Sequence, residues 1–157
     1  MELELSQLIS SQKSSNLVST IEAFEDDEFY YLVNELMQGG DLFDYVCEQQ
    51  DQPLEEEHGR EIVKSVALGL SVLHNLNIVH RDIKIDNVLV SSILRGQATF
   101  KLADFGSSVQ LASERDTASE YTGTKGYMSP EILRGQDYNK AVDIYSLGAL
   151  MHALMTA

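Results

Sequence analysis

The sequence is short of cysteine, of positive charge and of long apolar runs, and each shortage excludes something. Cys47 is the single cysteine, so no intrachain disulfide braces the fold. With no metal-ligand spacing around it, the thiol reads as a small apolar residue, buried or half-buried. Lysine and arginine number 11 against 25 aspartates and glutamates, a net charge of −14. With a sequence pI near 4.5, the chain lacks the basic face that unaided nucleic-acid binding needs. The carboxylate excess is compatible with cationic peptide partners, or with solubility alone. The final uncharged run, residues 144–157, is too short to cross a bilayer. The opening Met1-Glu2-Leu3-Glu4 lacks the basic start and apolar core of a secretory signal. The expectation is an intracellular soluble protein, cytoplasmic or nuclear, with no membrane and no nucleic-acid partner. No internal repeat or low-complexity segment is visible. The 157 residues, 43% of them hydrophobic, suffice for one domain with a core.

What is present concentrates between Val79 and Gly106. His80-Arg81-Asp82 is followed by Lys84, Asn87 and the apolar triplet Val88-Leu89-Val90. Beyond a polar turn the chain reads Phe100-Lys101-Leu102-Ala103-Asp104-Phe105-Gly106. Strands over 88–90 and 100–103 are predicted, forming a hairpin. Asn87 and Asp104 offer hard oxygens of the kind that hold Mg²⁺ on substrate phosphates. Asp82 is a separate carboxylate free to take a proton from a hydroxyl, and Lys84 is a cation between them. Taken singly, each residue is an ordinary polar hairpin end.

As a set, H-R-D-x-K-x-x-N followed by D-F-G resembles the catalytic and metal-binding loops of a eukaryotic protein kinase. Further landmarks follow in the family's order. Gly123-Thr124-Lys125-Gly126-Tyr127-Met128-Ser129-Pro130-Glu131 resembles the G-T-x-x-Y-x-A-P-E end of an activation segment, with Ser129 for alanine. Asp143-Ile144-Tyr145-Ser146-Leu147-Gly148 resembles the D-x-W-S-x-G of the family's helix F, with Tyr145 for tryptophan. The implied fold is α+β, a partial kinase-like fold running from helix C to helix F. It comprises an N-lobe sheet remnant over residues 1–34, a hinge at 35–41 and an incomplete, mainly helical C-lobe at 42–157.

Local patterns agree. Leu5, Leu8 and Ile9 give a helical stripe over residues 2–13. Runs at 16–24 and 29–34, with the acidic turn at 25–28 between them, predict a hairpin. Gly39-Gly40 breaks regular structure, and Asp41 suits the N-cap of a helix carrying Leu42, Phe43, Tyr45 and Val46. Pro53 and Glu55, Glu56 and Glu57 signal a second start, and Ile62, Val63, Val66, Leu70 and Leu73 carry that helix to about Leu76. His58 and His74 lack ligand spacing and read as packing or surface histidines. The last stretch, residues 138–157, starts polar and then becomes almost wholly apolar, which fits the family's helix F, buried all round.

The resemblance implies ATP and Mg²⁺ as cofactors and a protein substrate. Asp82 would orient and deprotonate the hydroxyl, Lys84 would neutralise the phosphoryl group, and Asn87 and Asp104 would hold the metal. Thr124 would bond both Asp82 and Lys84. Backbone groups of Glu35 and Met37 would meet adenine beyond the gatekeeper Asn34, with Leu89 beneath it. Glu4 would be the helix-C glutamate, with Glu2 as the alternative. His80, Phe105, Glu131 and Asp143 would be structural, Asp143 holding the catalytic-loop backbone and His80 stacking near Phe105. Arg81 marks regulation through the activation loop, with Ser113, Thr117, Ser119, Tyr121 and Thr122 as candidate acceptors. Glu120 either faces Arg81 in place of a phosphate or is a solvated loop acid. Asp41 and Asp86 match positions that select basic residues near the phosphoacceptor. Lys84 and Thr124 point to the Ser/Thr rather than the Tyr class.

The chain contains no glycine-rich loop upstream of Glu35 and no V-A-I-K-like strand, and the C-lobe arginine that the family pairs with Glu131 is not present. The expected reading is a fragment of a longer Ser/Thr kinase, inactive and aggregation-prone by itself. Two rivals remain open. One is a non-catalytic kinase-like scaffold or nucleotide-binding pseudokinase; the other is a small-molecule phosphotransferase of the aminoglycoside-kinase kind.

Overall fold

In the computed structural model, residues 2–48, 54–91 and 98–156 are described. Helix α1 (Glu2–Ser11) buries Leu5 and Ile9 and packs Leu8 against the same core. It stops two residues before the expected end. The N–H groups of Gln12 and Lys13 close tight turns to Ile9 and Ser10, and Lys13 takes a φ of 51°, a left-handed conformation that ends a helix.

Strand β1 (Thr20–Glu25) pairs antiparallel with β2 (Tyr30–Asn34). The first strand starts four residues later than its pattern predicts. Residues 16–18 pair elsewhere: Val18 N–H donates to Leu102 O, and Leu102 N–H to Asn16 O, each at 2.9 Å. The turn between the strands is shaped by Asp26, whose Oδ1 accepts from the N–H groups of Glu28 and Phe29 at 2.8 Å each. A seven-residue connector, 35–41, leads to α2 (Leu42–Glu48). Asp41 caps it as expected, its Oδ1 accepting from Asp44 N–H at 2.8 Å. Leu42 and Tyr45 are buried.

Helix α3 (Glu56–Asn75) buries Ile62, Val66, Leu70 and Leu73 along one stripe. Glu56 and Glu57 in its first turn complement the positive end of the helix dipole. Pro53, the other expected start signal, lies outside the described residues. Strand β3 (Ile78–Val79) pairs with β6 (Val109–Gln110), and β4 (Val88–Val90) with β5 (Phe100–Leu102), both antiparallel. The β5 strand ends one residue before the sequence suggests, because Ala103 N–H turns to Asn87 O at 2.9 Å. Alternation sends Val88, Val90, Phe100 and Leu102 into the core and leaves the facing pair Leu89 and Lys101 on the opposite side.

Short helix α4 (Pro130–Leu133) and long helix α5 (Ala141–Thr156) complete the described chain. The all-round apolar α5 is buried on one face only, through Val142, Asp143, Ser146, Leu150 and Leu154. Ile144, Tyr145 and Met151 remain about half-exposed, because nothing among the described residues covers that side.

The main core gathers α1, α2, β4, β5 and α5 around α3. Val79, Leu111, Met128, Ile132, Tyr138 and Val142 form a second cluster that supports the segment after Gly106. A third, Val18, Met37 and Ala103 with Leu89 against them, joins the connector to β4 and β5.

The packing of α3 on the chain ahead of β1 is tight enough to test. A Cβ on Gly69 would stand 2.8 Å from Asn16 O and 2.9 Å from a Leu17 methyl. Alanine would raise helix propensity by about 1 kcal/mol, but overpacking costs about 1–3 kcal/mol. Gly69→Ala is expected to lower the urea midpoint of unfolding; a raised midpoint would show that residues 16–17 yield freely.

Candidate active site

The loop that carries Asp82 is built on a carboxylate with no access to water. Asp143, on the first turn of α5, is fully buried and must be supplied with donors. His80 N–H gives one to Oδ2 at 2.9 Å, Arg81 N–H gives one to Oδ1 at 2.9 Å, and His74 Nε2 approaches Oδ2 at 2.8 Å. His74 is therefore not merely a packing or surface histidine: the fold brings the end of α3 against α5, a proximity that its sequence spacing does not carry. Arg81 takes a φ of 71°, a conformation that costs about 1–3 kcal/mol in a non-glycine residue. The two bonds to Asp143 hold that backbone in place.

His80 is fully buried. Burial pushes its pKa down, against the pull of Asp143, the Ala103 carbonyl, Asp104 and Asp82. A neutral ring fits its contacts: Nε2 meets Ala103 O at 3.1 Å as donor, so Nδ1 accepts from Asp82 N–H at 3.3 Å. The ring also meets Phe105 edge to face at 5.8 Å.

Asp82 stands at the centre of a polar network. Thr124 donates its hydroxyl to Oδ1 at 2.6 Å and accepts from Lys84 Nζ at 3.1 Å. Lys84 Nζ also lies 3.1 Å from Oδ2, and Asn87 Nδ2 donates to Oδ2 at 3.1 Å and to Asp82 O at 2.8 Å. Burial by itself would raise the Asp82 carboxyl. The Thr124 hydroxyl, the Lys84 ammonium and the Asn87 amide outweigh it and hold the group below the ordinary carboxylate range.

Asn87 links this network to a cleft of about 310 Å³. The β1–β2 hairpin contributes Thr20, Leu32 and Asn34 to it; Asn87, Leu89, Ala103, Asp104 and Asp86 come from around β4 and β5. Asp104 has a φ of 62° and accepts from Gly106 N–H at 3.2 Å. Asn87 uses its Nδ2 on Asp82, which leaves its Oδ1 available. Among the described residues no cluster of three or more histidine, cysteine or acidic side chains can cage a metal. Two hard oxygens beside an open cleft fit Mg²⁺, which binds through one or two protein oxygens with phosphates and water completing the octahedron.

The segment after Gly106 folds back onto this loop. Arg81 Nη1 meets Glu120 Oε2 at 2.6 Å and Tyr138 Oη at 3.2 Å, and Tyr138 donates its hydroxyl to Glu120 O at 2.8 Å. Glu120 therefore faces Arg81, while its side chain remains 72% exposed. Ala118 and Tyr138 exchange backbone hydrogen bonds at 2.9 Å each. Gly123, at a φ of 113°, lies so close that a Cβ would stand 2.6 Å from Arg81 O. Ser119 is exposed and Thr122 half-buried. Glu131 is exposed, and its own backbone N–H lowers its pKa.

Other expected residues stand apart from the cleft. Met37 is buried beside Leu89 in the third cluster. Asp41 is occupied as a helix cap. Glu4 is exposed on α1, and Ser6 is the α1 residue that lines the cleft; the side chain of Glu2 lies outside the described set. Glu35 holds a contact that sequence reasoning missed. Its two oxygens each lie 2.8 Å from Lys101 Nζ, and Oε1 accepts from Ser19 N–H at 2.8 Å. Burial would raise this carboxyl; Lys101 and Ser19 bring it below the usual range. The signal was a lone lysine inside an otherwise apolar strand, but its partner is 66 residues away.

Comparison with known proteins gives one consistent answer. The family model described as protein kinase domain matches residues 1–157. The probable serine/threonine-protein kinase zyg-1 of Caenorhabditis briggsae is 36% identical over 141 residues, 90% of this chain and 19% of that protein. The probable serine/threonine-protein kinase fhkD of Dictyostelium discoideum is 32% identical over 99% of this chain and 22% of its own length. The serine/threonine-protein kinase SKM1 of Saccharomyces cerevisiae is 36% identical over 92% of this chain and 23% of its own. The chain thus spans about a fifth of the length of these curated relatives.

The Asp82 network makes a directional prediction. Thr124→Val removes a donor that lowers the Asp82 pKa and leaves the burial that raises it. The carboxyl titration, followed by ¹³C NMR, is expected to move to higher pH. The stability that Asp82 contributes when ionised is then lost at a higher pH on acidification. A titration unmoved by the substitution would show that the Thr124 hydroxyl does not control this carboxylate.

Proposed function

The chain belongs to the protein kinase family, and from that premise we propose that it carries the phosphoryl-transfer centre of a serine/threonine kinase acting on protein hydroxyls. The observation that carries this reading is the single network joining Asp82, Lys84, Thr124 and Asn87, continuous with the cleft that Asp104 lines. ATP is the proposed donor. The hydroxyl oxygen of the substrate forms the new bond to the γ-phosphorus, the bond from that phosphorus to the β-bridging oxygen breaks, and ADP leaves. Asp82 orients the hydroxyl and takes its proton; its depressed pKa keeps it ionised and ready. Lys84 neutralises charge on the transferring group. Asn87 and Asp104 would hold Mg²⁺, which supplies charge neutralisation on the phosphates when bound. Leu89 supports the base, and the backbone of Glu35 and Met37 faces its edge. The small hydroxyl of Thr124, placed between Asp82 and Lys84, supports the Ser/Thr reading. Asp86, which lines the cleft, and Asp41 are proposed to favour basic residues near the phosphoacceptor. The 157 residues alone, without a glycine-rich loop or a phosphate-gripping lysine, are proposed to be inactive.

The test is transfer of labelled phosphate from ATP to a Ser/Thr peptide library by the intact gene product. Asp82→Asn is expected to reduce kcat by about 10²–10⁴, and preferred peptides are expected to carry arginine or lysine upstream of the acceptor. No transfer by the unsubstituted protein would defeat the enzyme reading, and a flat profile would end the basic preference.

Glu120 is proposed to take the place of an activation-loop phosphate, because it already meets the buried guanidinium of Arg81. Removing it leaves that cation without its carboxylate, a loss of about 1–3 kcal/mol in a charge-assisted contact. Glu120→Ala is expected to lower kcat/KM several-fold, while phosphatase treatment of the unsubstituted protein leaves activity unchanged. Indifference to Glu120→Ala would make it a loop acid only.

A further inference from the structure

The connector 35–41 is held over the β4–β5 hairpin at two points, and the two holds differ in kind. At the far end the hold is backbone: Gly39 N–H donates to Val90 O and Val90 N–H to Gly40 O, both at 2.9 Å. Asp41 bridges Leu89 there, and Gly39 lies so close that a Cβ would stand 2.6 Å from Ser91 O. Many sequences can make such bonds. At the near end the hold is a pair of side chains. Lys101 Nζ grips both oxygens of Glu35 at 2.8 Å, with the lysine side chain 17% exposed and the glutamate 29%. Ser19 completes the clasp, donating its N–H to Glu35 Oε1 at 2.8 Å and accepting from Glu35 N–H at 2.9 Å. Between the two holds, Met37 is buried against Val18, Ala103 and Leu89, while Leu36 is 82% exposed.

Lys101 stands directly opposite Leu89 in the β4–β5 register. The strand pair that supplies the apolar floor of the cleft therefore also supplies the cation that fixes the height of the connector above it. We propose that Lys101 is a positioning residue for nucleotide binding: through Glu35 it sets the backbone of residues 35–37 against the cleft. The inference rests on the reading that this backbone meets the base. Two charge-assisted bonds from one ammonium, with little solvent to compete, give the contact more weight than an exposed surface pair has. Without the cation, a partly buried carboxylate keeps only the Ser19 N–H, and the near end is free to move.

The experiment uses Lys101→Met, which keeps the length of the stem, and Lys101→Arg, which keeps the cation. Binding of a fluorescent ADP analogue with Mg²⁺ and amide hydrogen exchange are measured on the same samples of the intact gene product. Lys101→Met is expected to weaken binding about tenfold, to leave kcat at saturating ATP within about twofold, and to speed exchange at the Glu35 amide. Lys101→Arg is expected to recover most of the binding. Glu35→Gln approaches the pair from the other side, and the double variant should bind no worse than the weaker single. Equal affinity in the unsubstituted protein and Lys101→Met overturns the inference and leaves the kinase reading standing. If the unsubstituted protein binds no nucleotide, the kinase reading fails instead, and exchange at Glu35 alone decides whether Lys101 holds the connector. Unchanged exchange overturns that too.

Discussion

A carboxylate sealed from water at the start of α5 sets the terms for everything around the cleft. Asp143 collects the N–H groups of His80 and Arg81 and the ring nitrogen of His74. A buried acceptor of this kind is costly to leave unmatched, so the loop is held where it can supply those donors. The consequence reaches Asp82 directly, because the two backbone groups fixed by Asp143 are the two that precede it. It also reaches the segment after Gly106, because Arg81, oriented from behind, presents its guanidinium to Glu120. One buried group thereby orients both the proposed base and the clamp on the loop that crosses it.

Two of the strained residues lie where this arrangement is most exacting. Arg81 and Asp104 are non-glycine residues with positive φ, at 71° and 62°, and they flank the Asp82–Asn87 network from two different turns. Such strain persists only when neighbours over-determine the conformation. Asp143 does this for Arg81. For Asp104, its own carboxylate accepting from Gly106 N–H and the packing of Phe105 on His80 hold the turn.

Positive charge is scarce in this chain, and among the described residues the cations of low exposure are all committed. Lys84 serves Asp82, Arg81 serves Glu120, and Lys101 serves Glu35. Lys140 donates to His74 O at 3.0 Å and Asn77 Oδ1 at 3.2 Å, bracing the end of α3 beside the Asp143 site. With a net charge of −14, long-range attraction between cations and the surrounding carboxylates is diffuse; what distinguishes these contacts is low exposure and short distance, which water and salt screen poorly.

The sequence by itself determined the elements and the chemical candidates. Helical stripes at Leu5 and Ile9 and at Ile62 to Leu73, the N-cap at Asp41, the β4–β5 hairpin and the residue set 82, 84, 87, 104 and 124 all follow from local spacing and motif order. Periodicity is a local property, so it is readable without the fold. Only the tertiary structure decided the pairings. Lys101 with Glu35, His74 with Asp143 and Arg81 with Glu120 join residues 66, 69 and 39 positions apart. Residues 16–18, strand-like in pattern, went to Leu102 instead of the hairpin, and α5, apolar on every side, was buried on one. Which partner a polar side chain meets, and which apolar face finds cover, depend on how elements pack in space, and no spacing along the chain encodes that.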